Sequence, residues 1–219
     1  MDARIAVLVS GSGTNLQALL DDPTVGPCVV LVVSSRPDAL ALERARARGV
    51  KAVVLEPGHY PSREAHDGAM ESLLEEEAIE FVVLAGYLRV LSPGIVRAFA
   101  GRILNVHPAL LPAFPGTHSV ADALAWGVKV AGATVHLVDE EVDHGPVVLQ
   151  EAVPVLPDDD EGSLHARIQE VEHRLLPLAT RLLAEGRLRI EGREVRVAEP
   201  SGVAPTLPRS PSPRHETEA

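Results

Sequence analysis

The sequence predicts an α/β fold built on a doubly wound, mostly parallel sheet with antiparallel strands appended to it. Three observations lead there. Short, wholly apolar runs alternate with segments of helical periodicity through the first half of the chain, the pattern of buried parallel strands joined by crossover helices. The first run, residues 4–9, ends on Ser-Gly-Ser-Gly, a turn suited to joining a strand to a helix. Further along, two longer β-branched runs, 129–138 and 146–155, flank an acidic, glycine-containing turn and read as an antiparallel pair.

Taken in order, residues 4–9 form the first strand, and a helix over 15–20 follows with Leu16, Leu19 and Leu20 on one face. Residues 28–34 are the second strand. An Ala/Arg/Glu-rich helix over 39–48 is stopped by Gly49, as a glycine just past a helix end would stop it. Residues 52–55 make a short third strand. A helix over 62–77 opens on a Ser-x-Glu signal and turns Met70, Leu73 and Leu74 inward. Apolar strands follow at 81–85 and 102–106, and the antiparallel pair comes after them. A helix to residue 184 starts in the acidic stretch 158–161, whose charge suits the positive end of the helix dipole. Residues 187–197 form a small hairpin around Glu191-Gly192. One domain over residues 1–198 is expected. Residues 199–219 are Pro/Ser-rich without a hydrophobic pattern and read as a disordered tail.

The chain has 219 residues, enough for one sizeable domain. Aromatic residues make up 3% and the formal net charge is −11, so neither base-stacking surfaces nor phosphate-gripping cation clusters are at hand, and no nucleic-acid partner is expected. The one cysteine, Cys28, excludes an intrachain disulfide and reads as a buried strand residue. No apolar run is long enough to span a membrane, and the N-terminal run is short for a signal peptide; a cytoplasmic protein without a membrane partner is expected.

Ligands of such sheets bind outside the carboxyl ends of the strands, where residues 10–15, 86–91 and 105–108 fall. At 10–15 the backbone N–H groups of Gly13, Thr14 and Asn15 open a helix, which suits phosphate. The same glycines also suit a tight turn needed for steric reasons alone. A nicotinamide dehydrogenase begins this way too, but Leu16 replaces the third glycine of its fingerprint, and Ser34-Ser35-Arg36 stands where an acid would hold the ribose.

In LNVHPALLPAFPG, residues 104–116, Pro108 keeps His107 extended, and Asn105 and His107 lie two apart on one side of a strand. An amide and a protonated imidazole side by side are donors of the kind that stabilise an oxyanion. In DEEVDHGP, residues 139–146, Asp143 sits where the chain turns sharply; a carboxylate there, if it reached His107, would stabilise the imidazolium. His118 and His136 are further candidates nearby. No HxH or HxxxH spacing supports zinc, and no metal is expected.

Together VSGSGTNLQALL, SSRPDALALERAR, VVLAGYLRVLSP, GRILNVHPALLPAFPG, VDHGPVVLQEAVPV and HARIQEVEH resemble the phosphoribosylglycinamide formyltransferase family over residues 4–190. The Asn-x-His-Pro segment paired with a later Asp-x-Gly-Pro turn is shared by folate formyltransferases generally. The glycine-rich start and the Gln-x-x-Glu-His helix narrow the likeness to the glycinamide ribonucleotide branch.

The resemblance implies a sheet of the formyltransferase type in a monomer or homodimer that uses 10-formyltetrahydrofolate as co-substrate and glycinamide ribonucleotide as acceptor, without a metal. It implies Asn105, His107 and Asp143 as the catalytic three and phosphate on Gly13, Thr14 and Asn15. Gln169 and Glu172 fall on the ribose side. The folate falls on the main chain of Leu88, Arg89, Val90 and Leu91, near Asn105, with Arg63 as a further contact. Two departures fall on the folate side: Val120 stands where a second histidine is frequent, and Thr117 where a larger apolar residue is. A formyltetrahydrofolate deformylase would add an N-terminal domain, and a methionyl-tRNA formyltransferase a C-terminal β-domain and a basic surface. A non-enzymatic binding protein would make the three central residues dispensable.

Overall fold

The structure, a computed structural model, describes residues 2–198; the expected tail at 199–219 lies outside them. The described residues form nine strands and six α-helices, all but α4 and α5 in the anticipated order: β1 Ile5–Val9, α1 Thr14–Asp21, β2 Val29–Ser34, α2 Leu40–Ala47, β3 Lys51–Val54, α3 Arg63–Glu76, β4 Phe81–Leu84, α4 Pro93–Ala98, β5 Ile103–His107, α5 Ser119–Trp126, β6 Val130–Leu137, β7 Val147–Pro154, α6 Glu161–Ala184, β8 Leu188–Glu191 and β9 Glu194–Val197. The main sheet runs β3-β2-β1-β4-β5-β6-β7, and β8-β9 form a separate hairpin. Pairings from β3 through β5 are parallel, whereas β5–β6 and β6–β7 are antiparallel. The mostly parallel sheet with antiparallel additions is therefore present.

Strand alternation sorts the core into two layers. Ile5, Val7 and Val9 of β1 pack with Leu16 and Leu19 of α1 and with the Leu164, Ile168 and Leu176 stripe of α6. Ala6 and Leu8, pointing the other way, join Met70 and Leu74 of α3 and Ile95 and Val96 of α4. Burying each large apolar side chain contributes roughly 1.5–3 kcal/mol before entropy is charged against it. Cys28 is buried just before β2, its thiol 3.6 Å from the Thr24 carbonyl oxygen.

Two helices were not expected from the sequence, α4 and α5. Each has eight residues or fewer, about two turns, so an apolar stripe has little length in which to repeat. Tertiary contacts settle them: Ile95 and Val96 fill the α3 side, and Val120 enters the opposite core.

The chain runs outward from β1 to β3, then returns to place β4 on the other side of β1. That reversal leaves a crevice between the carboxyl ends of β1 and β4, and β5 ends beside it.

Candidate functional site

At one end of the crevice, the turn after β1 carries Gly13 as the N-cap of α1 in the left-handed region, φ 72°. A Cβ there would lie 2.6 Å from the Ala41 Cβ, so both backbone conformation and α2 packing demand glycine. The free N–H groups of the first helical turn, at Thr14 and Asn15, are thus held at the crevice.

Across from them stands Glu172. It is the only carboxylate among the buried residues of α6, which are apolar apart from it and Thr180, and is 3% exposed. Asn15 Nδ2 donates to Glu172 Oε2 at 2.8 Å, while Asn15 Oδ1 has no hydrogen-bond partner among the described residues. Burial pushes the Glu172 carboxyl above its ordinary pKa; the Asn15 hydrogen bond and the nearby His165 and His107 offset this only in part. An orphaned acceptor beside a desolvated carboxylate suits a ligand rich in hydroxyl or amine donors.

The centre of the crevice is built by β5, β6 and the turn between β6 and β7. Antiparallel pairing sets Asn105 opposite His136 and His107 opposite Thr134. His107, 4% exposed, has Nε2 at 2.8 Å from the Phe114 carbonyl oxygen. A carbonyl only accepts, so that nitrogen carries the proton and Nδ1 faces Asp143 Oδ2 at 3.5 Å. His136 Nδ1 donates to the Leu137 carbonyl at 2.8 Å, which leaves Nε2 to accept from Asn105 Nδ2 at 3.1 Å. The same amide nitrogen lies 3.4 Å from Asp143 Oδ1.

Asp143 is turned inward by a left-handed backbone, φ 52°, and by the Gly116 N–H, which donates to Oδ2 at 2.7 Å. Burial pushes its carboxyl up. The Gly116 N–H and the His107 charge help to hold the group below its usual range. Asn105, His107 and Asp143 therefore form one contact cluster, with His136 completing it from the adjacent strand.

Toward the other end, the 86–91 loop hangs from two anchors. Leu88 N–H donates to Ser10 Oγ at 3.0 Å, and Arg63 Nη2 donates to the carbonyls of Val90 at 2.9 Å and Leu91 at 3.2 Å. Leu88 and Val90 stay 67% and 56% exposed, an apolar lip of the sort that covers a flat ring. The glycine turn after β1, the Asn105–His107–Asp143 cluster and the 86–91 loop line one cleft of about 480 Å³, a size ordinary for small-molecule sites.

The formyl transferase family profile matches residues 3–180. The chain belongs to the formyl transferase family. It is 48% identical over 193 residues to the phosphoribosylglycinamide formyltransferase of Mycobacterium tuberculosis H37Rv, covering 87% of this chain and 89% of that protein. The Escherichia coli K12 enzyme of that name is 43% identical over 189 residues, with 85% and 89% covered. The Drosophila melanogaster trifunctional purine biosynthetic protein adenosine-3 is 46% identical over 188 residues; the match takes in 84% of this chain but only 14% of that longer protein. Among solved structures, glycinamide ribonucleotide transformylase 1 from Symbiobacterium toebii superposes with a TM-score of 0.87 at 52% identity, over 90% of this chain and 94% of that one. The fold is accordingly that of the phosphoribosylglycinamide formyltransferases.

On this formyltransferase, Gly13, Thr14, Asn15, Leu88, Arg89, Val90, Leu91, Asn105, His107, Asp143, Gln169 and Glu172 all line the same cleft. Arg63 does not; its guanidinium lies behind the 86–91 loop, 3.5 Å from Asp67. Thr117 is at the rim. His118 and Val120 are not among the lining residues: His118 caps α5, and Val120 is buried in the core. The Gly116 N–H and the Phe114 carbonyl were not foreseen as parts of the site, because a main-chain group gives no sequence signal. His165, also at the cleft, was missed although it stands one helical turn before Gln169, a spacing that does signal a shared face. Among the described residues no set of three or more His, Cys, Asp or Glu side chains is arranged to hold a metal ion.

Proposed function

We propose that the chain transfers the formyl group of 10-formyltetrahydrofolate to the amine of glycinamide ribonucleotide. The observation that carries this reading is the convergence of Asp143 on Asn105, 38 positions earlier, and on His107, at the head of a cleft with a phosphate-suited helix start at its far side. The substrate phosphate sits on the N–H groups of Gly13, Thr14 and Asn15, and Gln169 and Glu172 take the ribose side. The folate ring lies on the main chain of Leu88, Arg89, Val90 and Leu91, whose apolar lip suits it, while Arg63 bears on it through the loop it holds or at its outer end.

The amine attacks the formyl carbon directly, and negative charge grows on the formyl oxygen. Asn105 supplies an amide hydrogen and His107, as an imidazolium, supplies charge and a proton. The long separations of these two residues from Asp143, 3.4 and 3.5 Å, are the contacts an oxyanion can replace. Asp143 stays ionised, stabilises the imidazolium, and helps move the proton from the attacking amine to the departing folate nitrogen. His136, proton on Nδ1, keeps the Asn105 amide turned with its NH₂ inward. No metal and no covalent enzyme intermediate enter this scheme.

By the same reading residues 1–198 act as a single domain, a cytoplasmic monomer or homodimer whose partners are small molecules. The test is direct: purified chain, 10-formyltetrahydrofolate and glycinamide ribonucleotide, with the formylated product followed by mass spectrometry. Absence of product under conditions where the chain is folded refutes the assignment.

A further inference from the structure

The β8–β9 hairpin lies beyond residues 3–180 of the family match, yet it touches the loop that carries Asp143. We propose that Arg193, at the hairpin's tip, is a positioning residue for the reaction: it latches the 139–146 loop through His144 and so fixes Asp143. This rests on the role given above to Asp143.

The contacts form a chain with every donor and acceptor assigned. Asp139 Oδ2 lies 2.7 Å from His144 Nδ1, and a carboxylate accepts, so Nδ1 carries the proton. His144 Nε2 then has a lone pair to offer, and Arg193 Nη1 lies 3.1 Å from it. Arg193 Nη2 donates to the His144 carbonyl oxygen at 2.6 Å. One guanidinium thereby holds both the ring and the main chain of His144. Asp139 in turn accepts the Glu141 N–H at 3.0 Å, and Glu141 is the other carboxylate near the imidazole, 4.0 Å away.

What makes His144 a lever is its neighbours. Asp143 precedes it in the left-handed conformation, where a residue with a Cβ needs outside support. Gly145 follows it, packed so closely that a Cβ would lie 1.9 Å from the Leu137 carbonyl oxygen. The backbone is pinned to β6 on one side of His144 and held by Arg193 at His144 itself. Asp143 has little freedom left. The hairpin keeps its place because β9 lies beside β7, the strand the loop leads into.

Arg193 and His144 are both exposed, and surface pairs of this kind contribute little to global stability. Their effect falls on the loop, and the assay can separate the two. Arg193→Ala is expected to lower kcat about tenfold, the equivalent of one charge-assisted hydrogen bond. The KM for the donor rises, because the loop walls that side of the cleft; the KM for the amine and the melting temperature stay at wild-type values. Arg193→Lys rescues only partly, since an ammonium does not span ring nitrogen and carbonyl as the fork does. Adding His144→Ala to Arg193→Ala costs little more, because the two act through one latch. Arg196→Ala on the same hairpin, whose guanidinium pairs with Glu194, is the control and keeps wild-type kinetics.

Wild-type kcat in Arg193→Ala, with Asp143→Asn inactive, overturns the latch and leaves the active-site reading standing. A fall in kcat that comes with an equal loss of melting temperature, or that Arg196→Ala reproduces, overturns it too. Full turnover in Asp143→Asn removes the active-site reading itself, and the latch with it.

Discussion

Replacing Asp143 by asparagine removes a charge while nearly preserving shape, and the geometry sets the size of the effect. The carboxylate lies 3.5 Å from His107 Nδ1. At an effective dielectric of about 20, a unit pair at that distance interacts by about 5 kcal/mol. That stabilisation is available only when the imidazole is charged, as it is when the oxyanion develops, so its loss falls on kcat. With some screening by water in the open cleft, the expected drop is roughly three orders of magnitude.

The fold should survive the change. The amide oxygen of the substituted side chain would still accept the Gly116 N–H that now reaches Asp143 at 2.7 Å, and the left-handed backbone, φ 52°, is better tolerated by asparagine than by most residues. The assay pairs the rate of folate release with a thermal melt of the same sample. A kcat within threefold of wild type, or a melting temperature far below it, would refute the reasoning.

Burial raises the Glu172 carboxyl, so between its unfolded and folded pKa values the native chain keeps a proton that the unfolded chain has released. Stability therefore falls as pH rises through that window. Glu172→Gln escapes this and should melt higher than wild type at pH about 8, with the gain gone below about pH 4, while the amine KM rises; a pH-independent difference would contradict it. Gly145→Ala drives a Cβ against the Leu137 carbonyl and should destabilise by roughly 2 kcal/mol or more while lowering turnover. An unchanged urea midpoint would show that the turn yields freely. Arg63→Met should raise the donor KM about tenfold by releasing the carbonyls of Val90 and Leu91, without touching the amine KM. Equal effects on both KM values would mean a general loss of structure.

The parts of this protein legible in sequence share one property: they depend on neighbours along the chain. Apolar runs of strand length carry their own periodicity, the glycine-rich turn after β1 and the acidic start of α6 their own composition, and the element bounds fall within a few residues of those observed. Asn105 and His107 share a strand face whatever the rest of the chain does, because side chains repeat every second residue. Residue types at Asn105, His107 and the Asp143 turn were also enough to bring the family into view. Where local signals were too short to repeat, at α4 and α5, the elements went unread.

Tertiary structure decided whatever depends on register and packing across the chain. Asp143 was one acid among several in its turn until antiparallel pairing of β5 with β6 brought that turn over His107. His136 became the partner of Asn105 through the same register. Glu172 acquired its raised pKa only when α6 closed on the sheet, for desolvation is a property of the assembled core and not of a segment. Arg193 met His144 across 49 positions, through a hairpin whose own sequence shows nothing but a turn. Local periodicity is written residue by residue, whereas a site is a set of distances, and those exist only once the sheet has ordered its strands.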